Sequence, residues 1–241
     1  EMNKKIAKFY LVSEPFKSLK FLKNFLHLPN IAESWMYDNV KGDIKIEELY
    51  AEYDLINNHI IENSIQGKAQ IKDAKIRFHK DVDAVNTKSL DIFFKDNRLH
   101  FNLMEPMFKD KKLDGSFVLI NNLTSEKNGQ VDVFLKTNSK LDKDILDILK
   151  AYNITLPIIQ KNGNTQASLL MKFPYDTTKN MSTYGEFFLN DAKVAINNFE
   201  FESKNAEVIL DDSIIKIKNS DFKYKDMINA TLNLNLDIKT L

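Results

Sequence analysis

From Lys41 onward, short runs of alternating apolar and polar residues are separated by clusters of Asn, Asp, Gly and Lys, the pattern of a β-meander. The clearest run is 228–238. Ile228, Ala230, Leu232, Leu234, Leu236 and Ile238 share one face, and Asn229, Thr231, Asn233, Asn235 and Asp237 share the other. One face is dry and one wet, as in an antiparallel sheet packed on a single side. The same alternation predicts strands over residues 43–55, 65–78, 89–94, 98–103, 113–120 and 130–137. Further strands are expected over 166–173, 184–189, 193–196, 200–203, 206–210, 214–218 and 221–225.

Some runs change phase partway. Ala69 and Ile71 give way to Ala74, Ile76 and Phe78 across Asp73, and a bulge there would return the apolar residues to one side while bending the strand. About fourteen strands at ~4.8 Å spacing would make a flat sheet roughly 65 Å wide, so the sheet must curl or break. The predicted fold is mainly β: an elongated, curved antiparallel sheet with two or three short amphipathic helices.

The first helix is expected over 17–28. Leu19, Phe21, Leu22, Phe25, Leu26 and Leu28 fall on one side of a helical wheel, against Lys17, Lys20, Lys23, Asn24 and His27 on the other. That pattern suits packing on a sheet and also suits a membrane surface. The second helix is expected over 139–152, with Ser139 as cap and Leu141, Ile145, Leu146, Ile148, Leu149 and Tyr152 on its apolar face. A third short turn of helix is expected within 29–40, around Ile31 and Trp35. The chain thus divides into an N-terminal helical segment, 1–40, packed on an elongated β module, 41–241.

Composition narrows the functional classes. With 43% hydrophobic and 28% charged residues the chain is ordered rather than disordered. Lys plus Arg equals Asp plus Glu at 34 each, so the overall positive field that nucleic-acid binding needs is missing, and no nucleic-acid partner is expected. With no cysteine there are neither disulfides nor thiolate sites. No run approaches ~18 consecutive apolar residues. The opening at Glu1 lacks a signal-peptide core, and the expectation is a piece of a longer protein with any anchor elsewhere.

Candidate chemistry is sparse. The glycines, Gly42, Gly67, Gly115, Gly129, Gly163 and Gly185, are scattered and form no phosphate-binding loop. His27, His59, His79 and His100 never share metal-ligand spacing on one element, so neither metal nor cofactor is expected. Asp142, Asp144 and Asp147 read as the cap and wet face of a helix rather than as an acid–base pair. No catalytic residue is assigned and the chain is expected not to be an enzyme.

A family resemblance adds a functional expectation. It begins at Ala32-Glu33-Ser34-Trp35 followed by Gly42-Asp43-Ile44-Lys45-Ile46, and continues through Gly67-Lys68-Ala69-Gln70-Ile71 and Leu99-His100-Phe101. Leu113-Asp114-Gly115-Ser116-Phe117, the helix around Ile145–Leu149, Lys161-Asn162-Gly163 and the short strands from Gly185 to Tyr224 extend it. In this order of features the chain resembles the AsmA-like proteins of Gram-negative envelopes, in particular the central module of the YhdP proteins, which are related to TamB. The resemblance implies a periplasmic β-sheet folded like a taco shell, held to the inner membrane by a segment outside this chain, with flanking β segments of the same protein as neighbours. It also implies an apolar groove that lets phospholipid move between inner and outer membranes. Leu99, Phe101, Leu103, Phe117, Leu119, Val131, Val133, Leu135, Leu169 and Met171 are the residues expected to line that groove. The alternative expectation is a structural scaffold of the envelope with an internally packed core and no ligand.

Overall fold

A computed structural model describes residues 5–20, 23, 28–123, 125, 127–155, 158–196 and 199–237. The first element is strand β1 (Ile6–Leu11), followed by helix α1 (Asn30–Tyr37). Strands β2 (Val40–Asp54), β3 (His59–Ile60), β4 (Gln66–Ile76), β5 (Val85–Lys95) and β6 (Arg98–Met104) come next. They lead through the short β7 (Met107–Phe108) and β8 (Lys111–Lys112) to β9 (Phe117–Asn121) and β10 (Gln130–Ser139). Helix α2 (Lys143–Ala151) then precedes the long strands β11 (Ile158–Pro174), β12 (Ser182–Ile196), β13 (Phe199–Asp211), β14 (Ile214–Tyr224) and β15 (Ile228–Asp237).

The described strands form one antiparallel sheet, open and curved, in the order β1-β2-β4-β5-β6-β9-β10-β11-β12-β13-β14-β15, with β3, β7 and β8 set beside this path. Apart from the β6–β9 and β2–β4 steps, each strand on the path pairs with the next in sequence, as short connections between antiparallel neighbours favour. β1 and β15 stand at the edges.

The N-terminal segment holds a strand that the hydrophobic pattern did not announce. Ile6 to Leu11 pair along β2, from Ile6 opposite Asp54 to Leu11 opposite Leu49. Only one of its six residues is half-buried, so no buried face imposed an alternation on the sequence. Of the helix expected over 17–28, residues 21, 22 and 24–27 lie outside the described ones. Leu19 and Leu28 are described, and both pack partly buried against the core. The third expected turn of helix is α1, which buries Ala32, Trp35 and Tyr37.

The phase changes mark a crease. Asp73 takes a left-handed φ of 48°, and the register between β2 and β4 shifts between Lys41 and Asp43, at Gly42. In the other half of the sheet Gly163 (φ 83°), Asp191 (φ 43°) and Asn219 (φ 44°) occupy the same kind of position on β11, β12 and β14. Burial changes parity there: Gln160 precedes Thr165, Leu169 and Met171 on β11, and Leu189 precedes Ala192 and Val194 on β12. One extra residue turns the apolar set back to the same face and bends the strand. The stretches 184–189 with 193–196, 200–203 with 206–210, and 214–218 with 221–225 are therefore single kinked strands rather than pairs. A broken alternation had looked like a strand end.

Helix α2 docks on the inner face of β11. Its cap is Asp142, whose Oδ1 accepts from the backbone N–H of Asp144 at 3.2 Å and of Ile145 at 3.4 Å. Ser139, the expected cap, is instead the last residue of β10. At the leading end, the Leu141 N–H donates to Gln160 Oε1 at 2.8 Å, and the Thr165 hydroxyl donates to the same oxygen at 2.7 Å. Beyond the trailing end, the Tyr152 ring meets Phe173 with centroids 5.7 Å apart. Leu141 and Tyr152, which flank α2, thus reach Gln160 and Phe173 of β11. Ile145, Ile148 and Leu149 join the same buried cluster as Leu169 and Met171.

Two substitutions test these arrangements. A Cβ at Gly163 would come within 2.4 Å of Asp191 O and 2.7 Å of Ala192 Cα, whereas one at Gly115, also left-handed, meets only Lys136 Cδ at 3.4 Å. Gly115→Ala should therefore cost about 1–2 kcal/mol for the left-handed backbone alone, and Gly163→Ala distinctly more, read as the shift in urea midpoint. Leu149→Ala should cost ~2–5 kcal/mol in the same measurement, because Leu149 is fully packed. An unchanged midpoint for Leu149→Ala would mean that α2 is not docked.

Candidate functional site

The register sorts the predicted groove residues between two faces. Leu99 stands opposite Ile120, which stands opposite Val131; Phe101 stands opposite Val118, and Val118 opposite Val133. Val133 pairs with Met171 and Leu135 with Leu169. Directly opposed residues in an antiparallel sheet share a face. Leu99, Phe101, Leu103, Val131, Val133, Leu135, Leu169 and Met171 thus lie together on the inner face, all buried except Leu135, which is partly so.

Phe117 and Leu119 do not join them. Phe117 is paired with Asn102 and Phe134, and Leu119 with His100 and Asp132, so both lie on the outer face. The strand 117–121 is apolar at four successive positions, and such a run does not reveal which parity faces inward. Val118 and Ile120, fully buried, take the inner positions. On the outer face the His100 ring meets Phe117 edge-on at 5.3 Å, and its Nε2 has no hydrogen-bond partner. Burial lowers the His100 pKa below its ordinary value.

The inner face is open at one end and filled in the middle. Between α1 and strands β2, β4, β5 and β6 lies a cavity of 320 Å³ with almost purely apolar walls. Ile44, Ile46, Ile71, Ile92 and Phe94 form its floor with Leu99 and Phe101; Trp35 and Met36 of α1 stand over it, and among the described residues Lys68 and Glu48 are the charged ones that line it. Two larger clefts of 1130 and 820 Å³ are walled by Lys, Asp, Asn and Glu among a few apolar residues, and they offer no comparable apolar surface. Of the predicted groove residues, only Leu99 and Phe101 reach the cavity. The residues that supplement them, above all Ile44, Ile71 and Ile92, sit in runs already read as strands. Their alternation was visible, but not that α1 would arch over them.

The cavity ends at a partition of rings. Trp35 and Phe101 are in tilted contact at 6.3 Å, and the Trp35 ring meets Phe78 edge-on at 5.6 Å. The Tyr152 hydroxyl donates to the Phe78 carbonyl at 2.8 Å, and the Tyr152 ring contacts both His79 at 5.1 Å and Phe173 at 5.7 Å. Burial pushes the Tyr152 phenol well above its ordinary pKa, so it stays a hydrogen-bond donor.

A cluster of charges fixes the α2 end of this partition. Lys111 is 5% exposed and reaches Asp110 at 2.8 Å, Asp142 at 2.9 Å and Asp144 at 3.6 Å. Lys109 pairs with Asp144 at 2.5 Å and lies 3.6 Å from Asp83. Burial works against the charge on Lys111, but its hydrogen bonds to Asp110 and Asp142 outweigh that and hold its pKa above the ordinary lysine value. The hydrogen bond from Lys109 holds the Asp144 carboxyl below its ordinary value. The acidic residues of α2 are therefore not merely a solvated face: Asp142 and Asp144 tie the helix to the β7–β8 turn, and Asp147 pairs with Lys143 one turn away.

Among the described residues, no group of three or more His, Asp or Glu is arranged to hold a metal ion, and no helix is long and apolar enough to cross a membrane. Comparison with known protein families matches residues 27–240 to the family described as YhdP protein. No curated protein and no solved structure matches the chain. A match over most of the chain, on a curved antiparallel sheet with an apolar inner face, makes this chain a member of the YhdP family of envelope proteins.

Proposed function

We propose that this chain is a non-catalytic, lipid-binding and lipid-conducting module of the periplasm, taking phospholipid acyl chains against its inner face on their way between the inner and outer membranes. The observation that carries this reading is the apolar cavity under α1, whose floor is part of the apolar inner face of the sheet. An apolar surface of this kind has to be covered by protein or filled by ligand. Its volume of 320 Å³ is about twice that of a ~150 Å³ aliphatic-lined cavity known to take one benzene, which leaves room for roughly a dozen carbons. That is the tail of an acyl chain and not its headgroup, which would rest at the rim near Lys68. Attachment to the inner membrane would come from elsewhere in the protein, as the family resemblance implies.

A scaffold without ligand is the second reading, favoured by the filled middle of the face, where α2 and the ring partition leave no open groove. Photo-crosslinking in living cells separates the two. With a photoreactive residue at Ile92 or Phe101, phospholipid adducts are expected, and with one at Asn235, at an outer position of β15, none. Ile92→Asp should abolish lipid recovered with the purified protein, since an unpaired carboxylate in a dry cavity is costly to bury. Absence of adducts at every position, from protein shown to be folded, would favour the scaffold.

A further inference from the structure

The inner face carries apolar side chains on both sides of α2. On the near side is the cavity under α1. On the far side the inner positions continue through Phe187, Val208, Ile217 and Leu234, which stand in register from β12 to β15. Burial falls along that row, from 4% exposure at Phe187 to 40% at Leu234. Past the crease, Phe199, Phe201 and Tyr224 form a second cluster of rings on this face, with Phe199 55% exposed. Two apolar regions therefore lie on one face, with α2 and the rings Trp35, Phe78, Tyr152 and Phe173 between them.

Resting on the lipid-binding reading above, we propose that α2 and Tyr152 form a gate between the two compartments, latched shut by Lys109 and Lys111 on the β7–β8 turn. The attachments of α2 are of two kinds. Its apolar face is buried in the core cluster, as in any docked helix. Its leading end is held by ion pairs through Asp142 and Asp144, and its trailing end by the hydrogen bond from Tyr152 to Phe78. These polar ties sit at the two ends of a nine-residue helix that contributes no strand to the sheet. The helix can therefore lift without breaking a strand pairing, and lifting it joins the cavity to the far compartment. A lipid tail arriving beneath Tyr152 would take the place of the same side chains that the helix now buries.

The test uses the purified chain and a sixteen-carbon fatty acid bearing a diazirine, with adducts located by peptide mass spectrometry. In the unaltered protein, adducts are expected on β2, β4 and β5 and few on β12–β14. Lys109→Gln and Lys111→Gln combined with Tyr152→Phe keep bulk and remove these ties. Far-side adducts should then rise roughly fivefold or more, the gain in open population that losing a charged hydrogen bond allows, with cavity-side adducts unchanged. Equal labelling of both compartments in the unaltered protein, or an unchanged pattern in a variant that still melts cooperatively, would overturn the gate. Adducts in neither compartment would remove the lipid-binding reading and the gate with it. A second measurement needs no variant: amide exchange over 143–151 should proceed through openings that leave β5, β6 and β11 protected, and exchange of α2 only together with those strands overturns the proposal.

Discussion

An open antiparallel sheet with one continuous apolar face has to hide that face from water, and the rest of this molecule follows from how it does so. Closing into a barrel would need the edge strands to meet. Here β1 and β15 stand apart at the two ends of the strand order. The sheet instead bends along a crease of left-handed residues, Asp73 in one half and Gly163, Asp191 and Asn219 in the other, which keeps the apolar residues on the inside of the curve. Curvature brings the inner side chains together, and α1 and α2 cover part of what remains. Among the described residues, the two helices of eight and nine residues are too short to span twelve strands in sequence across the sheet.

Where each helix lies decides what the face offers. α1 arches over β2 to β6 with only Trp35, Ala32 and Tyr37 fully turned inward, and a cavity survives beneath it. α2 buries Ile145, Ile148 and Leu149 in the core cluster. The difference lies in anchoring as well as in apolar content. α2 has a side-chain cap, a buried tie from Leu141 to Gln160, ion pairs to Lys109 and Lys111, and Tyr152 bonded to Phe78. α1 begins at Pro29 without a side-chain cap.

The charged cluster at α2 shows how a polar feature can serve an apolar surface. Lys111 is nearly buried, and an unpaired ammonium there would be prohibitive. Three carboxylates within 3.6 Å, two of them on the leading turn of α2, make its burial tolerable and give the helix a fixed register on the β7–β8 turn. Removing one carboxylate would leave the buried ammonium less compensated, so the ties act together. A helix that covers apolar surface thereby gains orientation from charges that never touch that surface.

Alternation in the chain was enough to establish a mainly β, curved, antiparallel sheet, the bulge at Asp73, and the apolar stripe of α2, because each of these is a local consequence of side-chain period. It also located the inner residues Leu99, Phe101, Val131, Val133, Leu169 and Met171, whose runs alternate cleanly. It did not place Phe117 and Leu119, because Phe117, Val118, Leu119 and Ile120 are all apolar and only pairing with Phe101 and Val133 decides which parity turns inward. Nor did it announce β1, which is almost fully exposed and borrows its order from β2, or the capping of α2 by Asp142 rather than Ser139. The cavity under α1, the ring partition and the buried Lys111 cluster join residues far apart in the chain, such as Phe78 with Tyr152 and Lys111 with Asp142. Contacts of that range leave no periodic trace in sequence; they exist only once the sheet has curved and brought its face together.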